Sequence, residues 1–89
     1  MRAVITVIGK DNVGILAKVS SVCAKYNANV TEVTQSVLQE LFAMIMLVDI
    51  PKLNTDFAKL ADEMAALGDE LKLSIHTMHE DIFNSMHEI

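Results

Sequence analysis

Two rhythms of apolar and polar positions alternate along these 89 residues. Arg2 to Ile8 is nearly continuous in apolar and β-branched residues, which predicts a strand. After the loop Gly9 to Gly14, residues Ile15, Leu16, Val19, Val22, Cys23 and Tyr26 recur at intervals of one, three and four. That spacing is one stripe of an amphipathic helix. Asp11 or Asn12 is placed to cap it, because a short side-chain oxygen accepts a bond from a first-turn N–H. Asn27-Ala28-Asn29 stops it, since asparagine tolerates the left-handed conformation in which helices often end. Val30 to Leu38 is β-branched but interleaved with Thr31, Glu32, Thr34, Gln35 and Ser36, a strand with wet positions. A tight connection at Gln39-Glu40 leads to Leu41–Ile50, apolar on both faces and ended by Pro51. Asn54 or Thr55 then caps a second helix with the stripe Phe57, Leu60, Ala61, Met64 and Leu67, closed by Gly68. Leu71, Leu73 and Ile75 alternate with Lys72, Ser74 and His76, giving a half-exposed last strand. Ile82, Phe83, Met86 and Ile89 return to helical spacing in the tail.

The order strand, helix, strand, strand, helix, strand predicts an α+β fold. It is the ferredoxin-like βαββαβ sandwich, with an antiparallel sheet and an extra C-terminal helix. The first and third strands, apolar throughout, belong in the centre; the polar second and fourth belong at the edges. Both long helices then cover one sheet face and leave the other open. Residues 1–78 form the domain, and 79–89 an amphipathic helix that packs on the domain or on a dimer partner.

Composition narrows the function classes. A chain this short holds one hydrophobic core, and burial against a second copy would supplement it. The formal charge of -5 opposes a non-specific grip on nucleic acid or an anionic membrane. No apolar run approaches the roughly 18 to 20 residues of a membrane span. The first residues lack the long apolar region of a signal peptide. Cys23 is the single cysteine, which excludes an intrachain disulfide and points to a reducing cytoplasm.

This architecture hosts many functions, so the site residues decide. Base-stacking aromatics on the central strands reduce to Phe42, which argues against an RNA-recognition module. A metallochaperone needs a Cys-x-x-Cys in the first loop, whereas Cys23 is alone and lies on the helix's apolar stripe. An acylphosphatase needs an arginine there; Lys10 lacks the bidentate fork. No activated nucleophile or base is in view, so an enzyme is not expected. Gly14 lets a ligand or a neighbouring chain approach the backbone, because no Cβ intrudes. The N–H groups around Val13 to Leu16 begin a helix without internal partners and suit a carboxylate. Asp11, Asn12 and Gly14 are equally explained as a turn and a cap. His76, His79, Glu80, Asp81 and His87 are read as solvated positions rather than metal ligands, and Cys23 as a small buried hydrophobe.

The stretch "VIGKDNVGILAKVSSVCAKYNANV" resembles the ACT domain, a regulatory module that senses small molecules. Members typically read Asp-x-Pro-Gly-(Ile/Leu/Val)-Leu at the first turn and Asn-(Ile/Val) at the second strand. Asp11, Gly14, Ile15, Leu16, Asn29 and Val30 stand at those positions, and Val13 replaces the proline. The tail "HTMHEDIFNSMHEI" is similar to that of the stand-alone bacterial UPF0237 group, and to the ACT halves of the glycine-cleavage repressor and formyltetrahydrofolate deformylase. The resemblance implies a ligand site at Asp11, Asn12, Val13, Gly14, Ile15, Leu16, Asn29 and Val30, with no metal and no cofactor. It implies a carboxylate on the N–H groups near Gly14, and Asp11 or Asn29 holding the amino group of an amino-acid-like ligand. In the family these two patches face each other across a subunit interface, so a homodimer is expected, with a partner enzyme or regulator as a further associate. The alternative is an interaction module whose ligand site is vestigial.

Overall fold

Seven elements follow the apolar rhythm: β1 (Arg2–Lys10), α1 (Ile15–Lys25), β2 (Asn29–Leu38), β3 (Leu41–Asp49), α2 (Phe57–Leu71), β4 (Leu73–His79) and α3 (Glu80–Met86). The computed structural model describes residues 1–10 and 13–87. All pairings in the sheet are antiparallel, in the order β2-β3-β1-β4. The two fully apolar strands are thus central, as their sequences require. Along β1, Ala3, Ile5 and Val7 face the helices, while Val4, Thr6 and Ile8 face the other way. On β3 the helix-facing set is Phe42, Met44, Met46 and Val48, all buried. These pack with Val19, Cys23, Leu60 and Met64 into the core.

Turn chemistry closes each element. α1 ends with Asn27 at φ +61°, its N–H and that of Ala28 returning to the carbonyls of Ala24 and Cys23 at 3.2 and 2.8 Å. Gln39, at φ +58°, turns the hairpin between β2 and β3. Gly14 occupies the N-cap position of α1; the capping expected of Asp11 or Asn12 falls on residues outside the described ones.

The start and the end of α2 correct the sequence reading. Its cap is Asp56, whose Oδ1 accepts from the Lys59 N–H at 2.8 Å, and not Asn54 or Thr55. Asn54 instead ties the α1 end, its amide donating to the Lys25 carbonyl at 3.1 Å. Nor does Gly68 close the helix. α2 runs on through Leu71, so Leu71 is helical rather than part of the last strand, and Lys72 makes the left-handed turn at φ +60°. Gly68 serves close packing: a Cβ there would stand 2.7 Å from the Leu73 carbonyl oxygen and 3.2 Å from Ile75 Cγ1. Helix and strand meet only where no side chain intervenes.

α3 lies on the sheet face that α1 and α2 leave open. Val4, on that face, is completely buried, and Phe83 comes down beside it. A bidentate ion pair from the Arg2 guanidinium to Glu80 anchors the helix start. His79, one residue earlier, stacks on Phe57 with ring centroids 4.1 Å apart. Ile82 and Met86, two of the stripe residues, remain exposed, and Ile89 lies outside the described residues.

Candidate functional site

At the N-terminal end of α1 the backbone is uncovered. Val13 is 96% exposed, and Gly14 sits at φ +82° with none of the described residues within 4 Å of where a Cβ would stand. That left-handed conformation favours glycine on its own account. Ile15 is buried and pins the helix to the core, so its contribution to a site is its N–H. Leu16 is partly exposed beside it. The Lys18 N–H reaches the Gly14 carbonyl at 3.0 Å, which starts the helical ladder. The N–H groups before Lys18 have no acceptor within that ladder and, with the helix dipole, favour an anion. Asp11 and Asn12 lie outside the described residues.

The other expected half is elsewhere. Asn29 opens β2 just past the C-terminal end of α1, exposed, while Val30 turns in against the core. Asn29 lines a recess of about 380 Å³ together with Asn27, Asp49, Pro51 and Lys52. The Asn27 amide donates to the Lys52 carbonyl at 2.8 Å and holds the rim together. Asp49 is the cross-strand partner of both Asn29 and Arg2. Sequence reasoning missed Asp49 and Lys52, because only the β2–β3 register sets them beside Asn29. Gly14 and Asn29 therefore do not meet in one chain.

The other chemistry-bearing residues sort simply. Burial pushes the Cys23 thiol up to about 11, and its sulfur touches that of Met46 at 4.0 Å in the core. A thiol so placed is a packing group. Among the described residues no group of three or more His, Cys, Asp or Glu side chains is placed to hold a metal ion. Among them, too, no helix is long and apolar enough to cross a membrane.

A family model described as the ACT domain matches residues 2–78. A UPF0237 protein of Methanopyrus kandleri is 46% identical over 88 residues, covering 99% of this chain and 98% of its own. One from Listeria monocytogenes is 45% identical over the full length of both. The chain belongs to the ACT domain family, in its UPF0237 group. Archaea as well as bacteria carry UPF0237 relatives, so the group is wider than the bacterial one expected from the tail. Among solved structures, an ACT domain protein from Streptococcus pneumoniae superposes with a TM-score of 0.79 at 38% identity, covering 93% of each chain. A putative glycine cleavage system transcriptional repressor has a TM-score of 0.70 at 22% identity and shares the fold; the match spans 85% of this ACT chain and 43% of that one.

Proposed function

We propose that this ACT protein is a non-catalytic regulatory module that senses a small amino-acid-like ligand as a cytoplasmic homodimer. The observation that carries the reading is the exposed backbone at Gly14, where among the described residues nothing stands within 4 Å of a Cβ position and the first-turn N–H groups have no acceptor within the helix. A carboxylate fits them. Asn29, with Asp49 beside it, offers oxygen acceptors for an ammonium group at the opposite end of α1. Two copies packed with their α1 helices antiparallel bring Gly14 of one against Asn29 of the other. Such a two-fold pair makes two equivalent sites. Val13, Leu16, Val33 and Val37, exposed apolar side chains on α1, its entry loop and the β2 edge, suit that contact. A partner enzyme or regulator would read the change in the dimer, and the lone cysteine suits a reducing compartment.

One observation favours the competing reading of an interaction module with a vestigial site: φ +82° at Gly14 calls for glycine with or without a ligand. A thermal-shift screen of the twenty protein amino acids, read beside sedimentation, separates the two. A ligand at about a hundred times its dissociation constant stabilises by about 2.7 kcal/mol. The sensing reading predicts such a shift for at least one amino acid and a dimer in the centrifuge; a flat screen favours the interaction module.

A further inference from the structure

The open sheet face is half covered. Toward the start of β1, Val4 is sealed beneath α3, but Ile8 and Ile45 further along stay 50% and 43% exposed. Between them the sheet and the edge of α3 form a groove of about 460 Å³. Its floor is Ile8, Ala43, Ile45 and Met78, and its wall is Phe83 and Met86. The wall is held in shape at its far end by His87. That ring packs 4.2 Å from the Phe83 ring, and its Nδ1–H donates to the Phe83 carbonyl at 2.7 Å. The volume falls in the range of small-molecule sites, about 300 to 1,000 Å³.

Two polar side chains sit together in this apolar trough. Thr6 and His76 are cross-strand partners on β1 and β4, and both line the groove. Directly opposed residues on one face place their Cβ atoms about 5 Å apart. Neither side chain has a hydrogen bond or ion pair within the chain among the described residues. A threonine hydroxyl and an imidazole N–H side by side can each donate to one oxygen of a carboxylate. Among the described residues, no aspartate or glutamate lines the groove to repel an anion.

We propose that this groove is a second ligand site, separate from the ends of α1, for a small monocarboxylic acid with an apolar body. The carboxylate lies on the Thr6 hydroxyl and the His76 ring. The apolar body lies along Ile8, Ile45 and Met78 under the Phe83–Met86 wall.

The test uses the full chain, its backbone amide resonances assigned, titrated with octanoate and in parallel with 1-octanol. Octanoate is expected to give saturable shifts confined to Thr6, Ile8, Ile45, His76, Met78 and the α3 wall, and to bind more tightly than the alcohol. Thr6→Val and His76→Ala should each weaken octanoate binding about tenfold while leaving the weaker octanol binding as it was. The loss of preference for the acid is the readout, because a merely structural role would weaken both ligands alike. Shifts scattered over the surface, equal binding of acid and alcohol, or no saturable shift overturn the proposal. So does movement of the groove resonances on dilution without ligand, which would show a second copy covering the face.

Discussion

Gly14 and Asn29 stand beyond the two ends of α1, whose 11 residues span roughly 16 Å of helix. An amino acid spans far less than that. The two patches that carry the family's motif can share one small ligand only if the second comes from another copy. The length of a helix thus turns a question about binding into one about assembly.

The tail is structural in the first instance. Removing residues 80–89 uncovers Val4 and takes Glu80 from Arg2. Burying a valine fully is worth about 1.5 to 3 kcal/mol, and the truncation leaves the sheet to shield Val4 in part, so the truncated chain should lose up to about 3 kcal/mol in urea denaturation. An unchanged midpoint would mean that α3 does not hold this position in solution.

Gly68→Ala offers a helix former at a helix interior and should nevertheless destabilise. The gain in propensity is up to about 1 kcal/mol. Against it, the new methyl meets the Leu73 carbonyl, backbone that cannot simply swing aside. Overpacking of this kind costs about 1 to 3 kcal/mol. A raised melting temperature would contradict the close approach of α2 to β4.

Glu63 gives the acid side of the stability curve a specific slope. The Tyr26 hydroxyl donates to its carboxylate at 2.7 Å and the Lys25 ammonium at 3.2 Å, and these bonds, the tyrosine first, hold the carboxyl below the ordinary glutamate value. The folded value is the lower one. Its contribution is therefore complete above the ordinary value and disappears as pH falls through the lowered one. Glu63→Gln should flatten that part of the curve, measured by chemical denaturation across the acid range. If wild type and variant run parallel there, the α1–α2 bridge does not form in solution.

Thr77 carries a buried hydroxyl without a partner among the described residues. Leaving such a group unpaired costs about 1 to 3 kcal/mol, and valine has nearly the same shape. Thr77→Val should stabilise by up to about 1 kcal/mol in the same denaturation experiment. A loss instead would indicate that the hydroxyl is hydrogen-bonded after all.

How far the sequence reached can be seen residue by residue. The alternation of strands and helices was legible because Ile15, Val19 and Cys23 recur with the helix while Ala3, Ile5 and Val7 recur with the strand. The sheet order was legible because β1 and β3 carry apolar residues on both faces. The α2 boundaries were not. Asn54, Thr55 and Asp56 all have cap chemistry, and only the path of the chain selects Asp56. Gly68 reads as a stop signal until β4 is seen lying against it. At the candidate site the motif residues Gly14 and Asn29 were visible. Asp49 and Lys52, like the pair Thr6 and His76, depend on strand register, which local sequence does not reveal.

The most direct measurement of the central claim is complementation between two defective chains. Gly14→Val blocks the backbone end of the site, and Asn29→Ala removes the other end. Calorimetry with the amino acid that gives the largest thermal shift should find neither variant binding alone. Mixed one to one and allowed to exchange subunits, they should regain about a quarter of the wild-type sites, since half the dimers are mixed and each of those has one intact site. A mixture that stays silent, or variants that bind as the wild type does, would contradict a site shared between Gly14 of one copy and Asn29 of the other.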